Sequence, residues 1–186
     1  MPDLQPATPP KPPAAAEELP PMAPGRAFVV KMLGSCFGLG FLPFAPGTWG
    51  SLAAFGAWVA MLKLCGPGAR PGFVDMLTLA LTVTLSFITL GLGGPAERAA
   101  RAKDPRWFVL DELAGAFLAL YGLAGYNPWW AAGAFLFFRL LDATKFGAIG
   151  WADRKFSGGV GILMDDLFAG AAANLTVRGA VWLLVR

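Results

Sequence analysis

The chain of 186 residues contains no histidine. That absence rules out a histidine nucleophile or general acid and removes imidazole from any metal site. Cysteine is nearly as scarce: Cys36 and Cys65 both lie in apolar surroundings, too few and too far apart for a disulfide framework or a thiolate metal site. They read as small buried hydrophobes. Only 15% of the residues are charged, where a soluble domain usually carries about a quarter. The net charge of +3 is modest and its bases lie between apolar runs, with no basic stripe interleaved with aromatics, so nucleic acid is not an expected partner. Anionic membrane lipids suit these bases better. There is also no G-x-x-x-x-G-K-[ST] loop, which excludes nucleotide hydrolysis by that route.

What is present is apolar. Hydrophobic residues make up 56% of the chain and the mean hydropathy is +0.56. The long apolar stretches, Met32 to Leu62, Met76 to Ala96 and Leu113 to Phe138, match or exceed the ~20 residues that cross a bilayer. The sequence therefore predicts an all-α fold, a polytopic membrane bundle of about four to five helices. Residues 1–25 differ: they hold nine of the sixteen prolines and almost no large apolar groups, which predicts a disordered tail ahead of an integral-membrane domain over 26–186. The tail has no apolar h-region and does not read as a secretory signal.

From Phe28 to Phe44 the run is apolar but laced with Gly34, Gly38 and Gly40 and broken by Pro43 and Pro46. A re-entrant or interfacial segment is expected there. Spans follow at roughly 48–64, 74–96, 107–124, 128–145 and 166–185, divided by Gly66-Pro67-Gly68, Gly94-Pro95, Asp104-Pro105 and Asn127-Pro128. Thr48 or Ser51 is placed to cap the first span, whose free N–H groups form an anion site. Asp111-Glu112 and Asp165-Asp166 each precede small residues at an expected helix start.

Each crossing reverses the side on which the next connection lies. The start of the first span, the second connection and the fourth connection therefore share one face. That face gathers Gly47-Thr48, Asp111-Glu112, Arg139, Asp142, Lys145 and Asp165-Asp166. Arg98, Arg101, Lys103, Arg106, Arg154 and Lys155 fall there too, against Lys63, Arg70 and Arg186 opposite, and the positive-inside rule makes it cytoplasmic. Taken singly, Asp165 and Asp166 suit a helix N-terminus and Asp142 suits a pair with Lys145. Five acids meeting at one membrane face point instead to a functional site.

With no imidazole or thiolate available, that site offers oxygen ligands, which favour Mg²⁺, with Mn²⁺ as a substitute. Asp111, Glu112, Asp165 and Asp166 are the candidate ligands. Arg139 and Lys145 suit phosphate oxygens, and a loop over Gly158 to Gly161, including Gly159 and Gly161, can bring N–H groups to the same anion. Cys65-Gly66-Pro67-Gly68-Ala69-Arg70 is one residue short of a cysteine phosphatase loop and falls on the wrong face.

Four motifs in order, Ala45-Pro46-Gly47-Thr48 with Gly50-Ser51, Asp111-Glu112 with Gly115, Phe138-Arg139-Leu140-Leu141-Asp142 with Lys145, and Gly159-Val160-Gly161-Ile162 with Asp165-Asp166 and Ala169-Gly170, resemble the bacterial phosphatidylglycerophosphatase A family. The resemblance runs from about Gly38 to Asn174. It implies a multi-pass enzyme of the bacterial inner membrane, dependent on Mg²⁺, that removes the terminal phosphate of phosphatidylglycerophosphate to leave phosphatidylglycerol. Catalytic roles are then expected for Asp142, Asp166, Arg139 and Lys145. Gly47, Thr48, Ser51, Arg139, Lys145, Gly159 and Gly161 would bind substrate. The attacking group is left open between a water oriented by Asp142 and an aspartate carboxylate. One departure is visible: the family usually has Lys-Pro-x-Pro-Ile where this chain has Lys145-Phe146-Gly147-Ala148-Ile149, which predicts a looser exit from the fourth span. Two other readings use the same residues. A small ion transporter would need polar groups through its midplane, and the candidates, Thr78, Thr82, Thr84, Ser86 and Thr89, can bond back to their own helix. A catalytically inactive scaffold rests on the missing prolines.

Overall fold

A computed structural model describes residues 22–66, 70–144 and 158–184. Within them the backbone forms six α-helices and one 3₁₀ turn, with no strand among the described residues. The expected tail falls almost entirely outside this set, as do Lys145 and the five-residue stretch that departs from the family pattern.

Helix α1, Pro24–Gly34, has 11 residues and opens on a proline in its first turn. At 1.5 Å per residue it is about 16 Å long, too short to cross a membrane. The chain turns back after it because Cys36 and Phe37 adopt left-handed φ values of 49° and 56°, and the Ser35 hydroxyl accepts the Gly38 N–H at 3.0 Å. A 3₁₀ turn, Leu39–Phe41, follows. Val30 is buried in this segment while Phe28, Val29, Phe37 and Phe44 remain exposed.

Helix α2, Pro46–Cys65, starts earlier than its polar residues suggest. The chain enters through the left-handed pair Phe44 and Ala45 (φ 61° and 47°), and Pro46 takes a first-turn position where its missing N–H costs nothing. No side chain caps the helix. The expected cap at Thr48 or Ser51 is corrected: both lie inside the helix, and Ser51 Oγ donates back to the Gly47 carbonyl at 2.8 Å. Their oxygens are thereby free to serve a partner from another element.

Helix α3, Pro71–Ala100, is the longest and contains Pro95. Three of its hydroxyls bond back to their own helix: Thr78 donates to Val74 O, Thr82 to Thr78 O and Ser86 to Thr82 O, at 2.7–3.0 Å, whereas the buried Thr89 hydroxyl has no hydrogen-bond partner among the described residues. Helix α4, Leu110–Leu120, has only 11 residues, so the expected span over 107–124 is corrected to a half-length helix. Its end is built by other elements. Asn174 Nδ2 donates to the carbonyls of Ala119 (3.0 Å) and Tyr121 (2.6 Å), and Asp75 Oδ1 accepts the Gly122 N–H at 3.0 Å. Gly122 turns there with φ +77°, a conformation costly for other residues.

Helix α5 spans Pro128–Thr144 and is opened by Asn127, whose Oδ1 accepts the Trp129 N–H. Helix α6, Gly158–Leu184, begins about two turns before the expected 166. The glycine cluster Gly158 to Gly161 is therefore the first turn of a helix and not a loop. Asp165 and Asp166 sit two turns inside α6 and not at its start.

Three helices, α2, α3 and α6, are long and apolar enough to cross a membrane by length and composition. α4 sits among them, packed on α6, α3, α2 and α5, and all of its residues except Glu112 and Leu118 are buried. Gly115 of α4 lies close against Gly170 of α6, where a β-carbon on Gly170 would overlap the Gly115 carbonyl. Small residues let two backbones meet this way where lipid supplies no hydrophobic drive between helices. The main core, with Trp58, Leu113, Phe117, Leu120, Phe138 and Val177, gathers around α4.

Candidate active site

Because α4 is short and central, its first turn delivers Asp111 and Glu112 into the bundle, next to the middle of α6. Oxygens of Asp111, Glu112 and Asp166 all lie within 4.8 Å of one another. One oxygen of each, Asp111 Oδ1, Glu112 Oε2 and Asp166 Oδ1, is buried and has no hydrogen-bond partner. Three ionised carboxylates this close repel by about 3 kcal/mol per pair at an effective dielectric of ~20, on top of their desolvation. α4 is too short to span a membrane, and burial pushes the Glu112 carboxyl up to about 7. The charges of Asp142 and Asp104 act in the same direction, and Asp111 and Arg139 act against it. Such a trio holds protons or a cation. Its donors are all oxygen, which suits a hard divalent ion.

Asp165 is buried as well but is not part of this trio. Adjacent residues on a helix point about 100° apart, so a helix that aims Asp166 at α4 turns Asp165 elsewhere.

Beside the trio stands Arg139, near the end of α5. Its Nη1 donates to Asp142 Oδ2 at 2.5 Å and to Ser51 Oγ at 3.2 Å, and its Nη2 donates to Thr48 Oγ1 at 3.3 Å. The uncapped start of α2 thus uses its hydroxyls to fix a guanidinium from α5, with the acid one turn along sharing Nη1 with Ser51. Only one nitrogen of the fork is tied to a carboxylate, so the group keeps donors for an anion.

Arg139 and Glu112 face a cavity of about 310 Å³ with Ala45, Pro46 and Gly47 on one wall and Asp104, Arg106 and Phe108 on another. Gly47 leaves room for Glu112 at that wall, since a β-carbon there would overlap Glu112 Oε1 in its present position. Gly159 lies elsewhere, its Cα against the backbone of α3 at Leu90 and Gly93, and Gly161 is buried within α6. Lys145 lies outside the described residues. The structure thus brings together Gly47, Thr48, Ser51, Asp111, Glu112, Arg139, Asp142 and Asp166 from four helices. Arg106 and Asp104 were not singled out as site residues from the sequence. Asp104-Pro105 read as a span boundary and Arg106 as one of several bases on a face, and no local pattern marks either as lining a cavity.

A profile of the phosphatidylglycerophosphatase A family matches residues 32–181, most of the chain. The chain belongs to that family. A phosphatidylglycerophosphatase A from Escherichia coli is 37% identical over 149 residues, covering 78% of this chain and 81% of the other. The Haemophilus influenzae protein of the same name is 31% identical over 148 residues, 80% of this chain and 86% of that one. A Bacteroides thetaiotaomicron protein, provisionally described as a phosphatidylinositol-3-phosphatase, is 32% identical over 162 residues, 85% of this chain and 97% of its own length. No solved structure gives a significant match. As a phosphatidylglycerophosphatase A family member with membrane-length apolar helices, the chain is a membrane phosphatase acting on phospholipid. The carboxylate trio and Arg139 all fall within the matched segment.

Proposed function

We propose that the chain is a Mg²⁺-dependent phosphatidylglycerophosphatase of the bacterial inner membrane, working at the cytoplasmic face and converting phosphatidylglycerophosphate to phosphatidylglycerol and inorganic phosphate. The observation that carries this reading is the trio of partnerless carboxylate oxygens on Asp111, Glu112 and Asp166 beside a guanidinium held by Thr48, Ser51 and Asp142. Anionic groups alone would repel a phosphate. Together with a divalent cation and Arg139 they accept one.

Asp111, Glu112 and Asp166 would hold the ion. Their ligand oxygens already lie within 4.8 Å of one another, so the three side chains could close on one hard divalent cation by rotamer adjustment. The ion supplies positive charge that polarises the phosphoryl group. Arg139 meets the equatorial oxygens as the bond from phosphorus to the glycerol oxygen loosens. Asp142 holds the guanidinium in place, and Thr48 and Ser51 fix its tilt. Gly47 leaves room for Glu112 at the cavity wall. The acyl chains remain in the bilayer, against the exposed apolar faces of α2, α3 and α6.

The cytoplasmic assignment is supported by Arg98, Arg101, Lys103 and Arg106, which cluster at the end of α3 and in the connection to α4, the same end as the cavity. The test is phosphate release in detergent from phosphatidylglycerophosphate, with EDTA and with Mg²⁺ restored. Release that stops in EDTA and returns with Mg²⁺ is expected, and Asp166→Asn is expected to abolish it in a protein that still folds. Full release in EDTA would remove the metal from the reading, and full activity in Asp166→Asn would remove the site.

A further inference from the structure

The cavity has two arginines, and the proposed phosphoryl chemistry uses one. Arg139 is part-buried and tied to Asp142, Thr48 and Ser51. Arg106 comes from a different element, the connection between α3 and α4, and is exposed. No carboxylate pairs with it among the described residues. At about 310 Å³ the cavity lies at the lower end of the range for organic ligands, larger than a lone phosphate group requires. An unpaired guanidinium lining such a cavity, apart from the one already anchored, is a place for a second anion.

We infer that Arg106 reads the phosphodiester of the substrate while Arg139 meets the terminal monoester, so that the enzyme selects glycerolipids whose head group carries both. This rests on the proposed phosphatase reading and deepens it. A phosphodiester bears one negative charge on two oxygens, which a guanidinium can hold bidentately. Phosphatidate, whose only phosphate is the reacting monoester, leaves Arg106 without a partner. Arg106 is thus a specificity-determining residue. It binds a part of the substrate at which no bond changes, and that contact is as strong in the ground state as in the transition state, which places its effect in KM.

The experiment compares wild type and Arg106→Gln on phosphatidylglycerophosphate and on phosphatidate, both in mixed micelles. The expected result is a KM for phosphatidylglycerophosphate raised about tenfold with kcat nearly unchanged, the loss of one charge-assisted contact. The preference over phosphatidate should fall by the same factor, and Arg106→Lys should recover part of it. Equal losses on both lipids, or no loss on either, would overturn the inference and leave the phosphatase reading intact. If wild type releases no phosphate from any lipid, the phosphatase reading fails. A binding measurement still decides the role of Arg106: dihexanoyl phosphatidylglycerol, which has the diester and no monoester, should raise the melting temperature of wild type and not of Arg106→Gln. Equal shifts in the two proteins would refute a diester contact.

Discussion

Gly47 lies directly against Glu112: the first turn of α2 passes so close to the first turn of α4 that a β-carbon at 47 would occupy the space of Glu112 Oε1. One hydrogen atom at residue 47 therefore sets where a proposed metal ligand sits. Gly47→Ala is expected to displace the Glu112 carboxylate by around an ångström and to lower kcat by about 10²-fold, the usual cost of such a misplacement. The global fold should survive, because Glu112 can swing toward the cavity. Steady-state kinetics beside a thermal melt check this, and a kcat within twofold of wild type would contradict it.

The carboxylate trio predicts an unusual stability pattern. Without divalent ions, Asp111, Glu112 and Asp166 are mutually repulsive and desolvated. Asp166→Asn removes one charge, so in EDTA the variant should melt higher than wild type, by about 1 kcal/mol of stability or a few degrees. Added Mg²⁺ should raise the melting temperature of wild type and do little for the variant. The measurement needs no turnover, and an equal response of the two proteins to Mg²⁺ would argue against the trio as its site.

Arg139 makes its contacts with both Nη atoms at once, to Thr48 on one side and to Ser51 and Asp142 on the other. Lysine keeps the charge but has a single nitrogen. Arg139→Lys is expected to reduce kcat/KM by about 10²-fold or more, the scale for losing a donor to developing charge. Ser51→Ala, which removes one 3.2 Å contact and leaves the ion pair with Asp142, should cost about tenfold or less. If the two variants lose activity equally, the guanidinium geometry is not what matters.

At the far end of α4, Asn174 occupies two carbonyls with one amide, those of Ala119 and Tyr121. Asn174→Leu fills the volume but leaves both acceptors unpaired in a buried place, which should cost about 2 to 3 kcal/mol. Thermal or denaturant unfolding in detergent reads it directly. Unchanged stability would mean that α4 is ended by its own sequence.

The helix boundaries show where sequence reasoning reached its limit. Apolar length and prolines located α2, α3 and α5 to within a few residues, because their signals are local. For α4 they predicted a full span, since the apolar run continues past Leu120. The helix stops because Asn174 and Asp75, from two other elements, take the backbone groups that another turn would use. For α6 the glycines read as a loop, yet Gly159 is helical because its bare Cα packs on the backbone of α3.

Composition and motif order by themselves determined that this is a membrane protein of a lipid phosphatase family, and the lack of histidine and clustered thiols limited any metal to oxygen ligands. Those conclusions depend on residue type, which folding does not change. Only the tertiary structure decided that Asp166 and not Asp165 joins Asp111 and Glu112, that Thr48 and Ser51 hold an arginine in place of capping a helix, and that Arg106 lines the same cavity. Each of these depends on the rotation and closeness of helices far apart in sequence. Side-chain packing and backbone contact set those quantities, and no short stretch of residues encodes them.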